Sequence, residues 1–344
     1  MKAAYSSAPR SIDLRDVARP TPGAGDVIVR IRNCGVCGSD LHWYSGGWPP
    51  PSVCPGHEIS GEVAEVGAGV TGVKAGDRVA IEPLVVCGDC HACRTGNRQL
   101  CRRLRILGTM IDGGFAEYVR TPASTLFALP ARLDWATAAM TEPLAVCVHA
   151  VRLAKVRLGD RVAVLGAGTI GLLSVVAARA AGAAEVLITA RHPHQRTTAE
   201  ALGARAFAAT DDGTVELSEY AGAHPIDAVI ETVGGAADTL NDAVHLVRPG
   251  GAIAVLGVFT APVSLNALLV MMKEVRIVGS LTYSRAGHRA DFDAALDLLA
   301  TQTQSVRQLI THRFPLNRIA EAFAAAADKR SGAIKVTIDV PPGS

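Results

Sequence analysis

The sequence predicts an α/β protein in which a doubly wound parallel sheet occupies the middle of the chain and a mostly antiparallel β domain precedes it. Three observations carry this. From Gly159 onward short apolar runs alternate with helical stretches, the first 150 residues are instead rich in Gly, Pro and valine-bearing strands, and 344 residues is the length of about two domains. The 34 glycines and 18 prolines, against 4% aromatic residues, suit a fold of short turns and close backbone approaches.

In the first part, residues 26–31 (DVIVRI), 61–67 (GEVAEVG) and 77–81 (DRVAI) read as strands. In the alternating region, 161–168 (RVAVLGAG) reads as a strand and glycine turn, and 169–181 as a helix ended by Gly182. A strand at 184–190 follows, then a helix closing near Leu202 and Gly203, and a strand at 226–234. A helix at 237–247, a stop at Pro249-Gly250-Gly251 and a strand at 252–257 complete the series. The helix expected at 292–300 and the strand at 334–339 return to the first domain. The expected division is therefore a discontinuous domain of 1–150 and 290–344 around a central domain of 151–289.

Composition excludes several classes of partner. The 34 basic and 32 acidic residues leave a formal charge of +2, without the basic excess of a nucleic-acid binder. Residues 162–178 and 249–272 are long and uncharged, but the first carries Gly166, Gly168 and Gly171 and the second Pro249 and Pro262, so both read as buried parallel strands and no membrane partner is expected. The N-terminal MKAAYSSAPR lacks a hydrophobic signal core, and the eight cysteines are too sparse for a disulfide scaffold. Both point to a cytoplasmic protein.

Four of those cysteines cluster. Cys87, Cys90, Cys93 and Cys101 are separated by two, two and seven residues. Thiolates at such spacing turn back toward one ion, and four of them close a tetrahedral zinc site with no open position, pinning a loop that has little apolar content. An iron–sulfur cluster or a nucleic-acid zinc module are the other readings of this pattern. A second metal site is suggested by Cys37 and His57, which alone leave zinc under-coordinated; Glu58 and the distant Glu142 offer further ligands. Gly166-x-Gly168-x-x-Gly171 follows a strand and opens a helix, as a dinucleotide pyrophosphate requires, and no Walker lysine accompanies it.

Together these residues resemble the zinc-dependent medium-chain alcohol dehydrogenases. Gly56, His57, Glu58, Gly61, Gly67 and Val70 match that family's GHE signature, the four-cysteine loop follows at the family's distance, and TEPLAVCVHA around Glu142 looks like the acidic-ligand segment of the polyol and threonine dehydrogenase branch. The resemblance spans almost the whole chain. It implies a Rossmann coenzyme domain beside a GroES-like catalytic domain, and two zinc ions per chain. Cys37, His57 and Glu142 would hold the catalytic ion, directly or through water, with Glu58 as an exchangeable ligand. Ser39 and His42 match the family's proton relay, and Asp40 reads as structural. Cys34, Cys54 and Cys147 match no ligand position.

Coenzyme contacts are expected from Gly166, Gly168, Thr169, Ile170 and Gly171, from Ala190, Arg191 and Arg196, and from Val233 and Gly257. Where NAD-specific members carry an acidic residue, this chain has Ala190, followed by Arg191; a guanidinium there can grip a 2′-phosphate, so NADP(H) is expected over NAD(H). Trp43 and Trp48 are candidates for the substrate pocket or for core packing. In GSLTYS (279–284), where polyol relatives place an arginine, Thr282 stands before Tyr283, which favours a less hydroxylated substrate. The expected reaction is hydride transfer between NADP(H) and a small-molecule secondary alcohol or ketone. The alternatives are an NAD-dependent polyol or L-threonine-type dehydrogenase and a non-catalytic zinc-stabilised binding protein. Relatives pair through the edge strand, here near 275–280, so a homodimer or homotetramer is expected.

Overall fold

Six parallel strands lie side by side in the order Arg205–Ala208, Glu185–Ala190, Arg161–Leu165, Ile226–Glu231, Val247–Val255, Arg276–Gly279. In this computed structural model, residues 1–287 and 289–341 are described. The strand order reverses at Arg161–Leu165, which pairs with Glu185–Ala190 on one side and Ile226–Glu231 on the other. Ligands bind doubly wound sheets at the carboxyl end of such a reversal, and Gly166 leaves the sheet there. Val162, Ala163 and Val164 are fully buried, as the continuous apolar run demands of a parallel strand covered on both faces.

Two details differ from the sequence reading. Pro249-Gly250-Gly251 does not stop the chain between a helix and a strand: it lies inside Val247–Val255, whose pairing with the neighbouring strand begins at Ile226↔Val247, slips, and resumes at Ala228↔Ala252. The strand Arg205–Ala208 and the helix Asp211–Ala223 were not expected from the sequence. The strand is four residues long, and Phe207 is its one large buried side chain, too short a run to register as a period.

The chain divides into two units, Met1–Glu142 with Ser284–Ser344, and Pro143–Tyr283. The first is organised around Asp26–Gly35. This strand pairs antiparallel with Glu58–Val66, with Tyr118–Pro122 over its first half, and with Lys335–Asp339 at its end. Arg78–Ile81 and Leu126–Ala128 extend the sheet on one side, and Ile310–Pro315 joins the last strand in parallel on the other. The pairing of Gly35 with both Glu58 and Thr337 brings three remote segments to one strand end. The core beneath includes Val27, Val29, Ile31, Ile59, Phe115 and Phe323. Trp43 belongs to it: it is 6% exposed and packs on Phe323 at 5.2 Å, so it is a core residue and not a pocket wall. Among the described residues no helix is long and apolar enough to cross a membrane.

Candidate active site and metal centres

Past Gly35 the chain turns into the short helix Gly38–Tyr44. Cys37 is its N-cap, and the Cys37 N–H donates to Asp40 Oδ2 at 3.0 Å, which fixes the start of the helix and with it the thiol. Asp40 is thus the structural residue expected of it, although burial pushes its carboxyl pKa up despite the nearby His57 and the Cys37 N–H. His57 immediately precedes Glu58–Val66, so the pairing of Gly35 with Glu58 carries Cys37 and His57 to the same end of adjacent strands.

There the two side chains are hydrogen-bonded to each other. His57 is 8% exposed, and its buried Nδ1 has no hydrogen-bond partner. Burial opposes the imidazolium, but the charges of Cys37, Asp40 and Glu142 outweigh it and raise the pKa of His57 well above 6.5. Glu142, buried in the first turn of Thr141–Leu153, therefore lies within electrostatic reach of the pair. The donor set of thiolate, imidazole and carboxylate suits zinc. The three side chains stand apart from a closed site, however, because among the described residues only the four-cysteine cluster has three or more ligand atoms all within 4.8 Å of one another.

Glu58, expected as an exchangeable ligand, accepts from Lys335 Nζ through both carboxylate oxygens, each at 2.7 Å. Lys335 was not singled out in the sequence; the available signal was a lone lysine in the apolar C-terminal run AIKVTIDV. Ser39 and His42 stand three apart on the helix, hence on one face. Both are half-buried, and His42 stacks on Trp48 with ring centroids 4.6 Å apart.

The four cysteines do converge. Cys101 Sγ lies 3.4 Å from Cys87, Cys90 Sγ 3.5 Å from Cys93, and Cys87 Sγ 3.9 Å from Cys93. The edge of a tetrahedron with zinc–sulfur arms of about 2.3 Å is about 3.8 Å, so the cluster fits zinc. The Cys93 backbone N–H helps bring the Cys90 thiol down to about 6, while burial pushes Cys93 up to about 12. The loop is tied down by an ion pair of Arg98 with the buried Glu82 at 2.8 Å and by the Arg285 N–H, which donates to Gly96 O at 3.0 Å.

In the other unit, Gly166 has φ +98°, and its N–H donates to Thr189 Oγ1 at 2.9 Å. A Cβ on Gly171 would lie 1.8 Å from Gly166 O, so turn and helix pack as only glycine permits. Gly168 caps the helix Thr169–Ala180, and a Cβ there would meet nothing within 4 Å. An anion has room at the helix N-terminus, beside Thr169 and Ile170. Cys147 Sγ donates to Ile170 O at 3.2 Å, a structural use of that thiol. Ala190 is buried at the end of its strand; Arg191 is exposed and bonds none of the described residues, whereas Arg196 donates to Ala206 O at 3.4 Å. Val233 is 44% exposed, and its turn is shaped by Glu231, whose Oε1 accepts from the N–H groups of Val233 and Gly234 and from Thr239 Oγ1. Gly257 packs against the same carboxylate, a Cβ there falling 2.2 Å from Glu231 Oε2.

Residues 23–131 match the alcohol dehydrogenase GroES-like domain and residues 169–301 the zinc-binding dehydrogenase domain. The chain is 36% identical to a sorbitol dehydrogenase of Halalkalibacterium halodurans, over 94% of each chain. A zinc-binding dehydrogenase from Sinorhizobium meliloti 1021, solved bound to NADP, is 34% identical over 98% of each chain with a TM-score of 0.87. A short chain alcohol dehydrogenase from E. coli CFT073, solved with NADH, is 29% identical, covers 98% of this chain and 99% of its own, and has a TM-score of 0.90.

Proposed function

Because the chain belongs to the zinc-dependent medium-chain alcohol dehydrogenases, we propose that it interconverts a small secondary alcohol and its ketone with NADP(H), using two zinc ions per chain. The observation that carries this reading is the pairing of Cys37 with the buried His57, with His57 Nδ1 unbonded and Glu142 in electrostatic reach. Cys37, His57 and Glu142 hold the catalytic ion; Cys87, Cys90, Cys93 and Cys101 hold the structural one. Bound zinc supplies Lewis acidity toward the substrate oxygen, and bound nicotinamide supplies or accepts the hydride. Ser39 Oγ would accept the alcohol proton while handing its own, through the coenzyme ribose, to the His42 imidazole, which passes a proton to solvent.

The turn from Gly166 to Gly171 receives the pyrophosphate, with Val233 and Gly257 bounding the coenzyme at neighbouring strand ends. Ala190 leaves no carboxylate to bind ribose hydroxyls or repel a 2′-phosphate, and Arg191 is free to grip one; the NADP-bound relative supports the same choice. Arg196, tied to Ala206 O, is the weaker contributor. The sorbitol dehydrogenase relative and the NADH-bound neighbour favour a second reading, an NAD-dependent polyol dehydrogenase. A turnover screen over secondary alcohols, ketones and polyols with both coenzymes separates the two. Wild-type protein is expected to carry about two zinc ions per chain, and Cys37→Ala about one, with turnover lost. Full turnover by Cys37→Ala would overturn the proposal.

For assembly we place the contact of a homodimer, or of one interface of a homotetramer, at Arg276–Gly279. It is the edge strand, and the preceding helix Ala267–Met272 exposes Leu268, Met271 and Met272 at 63%, 65% and 69%.

A further inference from the structure

We infer that Trp48 is a positioning residue of the proton relay: its indole, stacked on His42, fixes the plane of an imidazole that no hydrogen bond holds. The inference rests on the relay role proposed above for His42. Among the described residues none hydrogen-bonds the His42 ring, and its ring contact is Trp48, with centroids 4.6 Å apart and planes inclined by 29°. A histidine that handles protons commonly has its orientation set by a bond to its second nitrogen. Without that bond the ring swings about its broad terminal torsion unless packing stops it, and here the indole is what packs on it.

The local sequence brings the indole there. The helix Gly38–Tyr44 ends with the Ser45 N–H donating to Leu41 O at 2.9 Å and the Gly46 N–H to Trp43 O at 3.1 Å, and Gly46 reverses the chain at φ +84°. The N–H groups of Gly47 and Trp48 then both donate to His42 O, at 2.8 and 3.3 Å, so one turn engages the carbonyl of His42 and covers its ring. Pro49, Pro50 and Pro51 follow; a proline next in sequence favours extended backbone at Trp48, which lowers the entropy lost in holding it in place. Trp48 remains 38% exposed, so burial alone accounts poorly for its position, whereas a stacked pair contributes beyond burial. Stacking covers a face of the imidazole and leaves the nitrogens at its edge open to take up and give away a proton.

The test follows a single turnover of alcohol oxidation by the zinc-loaded enzyme, reading the released proton with an indicator dye in weak buffer and the reduced coenzyme by its absorbance. In the wild type the two signals are expected to rise together. His42→Ala is expected to delay the proton behind the coenzyme; a proton released as fast as in the wild type would refute the relay role itself, and the inference with it. Given that delay, Trp48→Ala is expected to slow proton release about two- to tenfold. Trp48→Phe, which keeps an aromatic face, should stay close to the wild type, and Trp48→Ala should add nothing in the His42→Ala background. Unchanged proton release in Trp48→Ala, or a slowing as large without His42 as with it, overturns the inference; the second result, with coenzyme reduction slowed alike, is what a wall of the substrate pocket would give. Should Trp48→Ala not fold, Trp48→Leu, which keeps a large apolar side chain without a π face, takes its place in the same comparison.

Discussion

In the proposed NADP(H) reading Arg191 is the side chain on which coenzyme choice turns, being exposed and unbonded next to Ala190. A charge-assisted bond to a 2′-phosphate contributes about 1.5–3 kcal/mol. Arg191→Ala should therefore raise the KM for NADPH about tenfold or more while leaving that for NADH nearly unchanged, and steady-state kinetics showing equal effects would refute the assignment. His57 makes a second prediction. Its pKa in the folded, metal-free protein lies above 6.5, so its charged form contributes stability that is fully present below pH 6.5 and lost as pH rises through the raised value. The Tm of metal-free protein should fall across that window, whereas the zinc-loaded protein, whose histidine ligand is neutral, should lack this fall. Calorimetry showing a rising Tm in the metal-free protein would contradict it. At this scale Cys37, His57 and the four clustered cysteines were legible because their motifs are local. Lys335 was not, since its partner Glu58 lies 277 positions away.

Among the elements, the glycine turn and the helix Thr169–Ala180 act as one piece. A methyl group on Gly171 would lie 1.8 Å from Gly166 O, so Gly171→Ala must push the helix off the turn. We expect a loss of about 1–3 kcal/mol in denaturant unfolding together with weakened coenzyme binding, and unaltered coenzyme affinity would show that the turn does not cradle the pyrophosphate. The strands at Arg161–Leu165, Glu185–Ala190 and Ile226–Glu231 announced themselves as apolar runs between turn residues. Arg205–Ala208 did not, and the helix Asp211–Ala223, with only Gly213 and Leu217 buried, carries little amphipathic signal. The Pro249-Gly250-Gly251 run shows the opposite error, because breaker residues mark a bulge as readily as an end.

For the whole molecule, Leu268 and Met271 are exposed beside the open sheet edge, where the homo-oligomer proposed above has its contact. Substituting both with Asp should then lower the mass read by light scattering to that of one chain; an oligomer of unchanged mass would refute that contact. Sequence alone determined the fold class, the glycine turn and the four-cysteine cluster, because each depends on neighbours in the chain: alternation along a strand, a tight turn, thiols two residues apart in one loop. Tertiary structure decided what those rules leave open. It placed Trp43 in the core on Phe323, ordered the strands so that the sheet reverses at Arg161–Leu165, and paired Glu58 with Lys335. The physical reason is that a buried charge must find its counter-charge wherever folding brings one, and which charge arrives is set by strand pairing between the two ends of the chain.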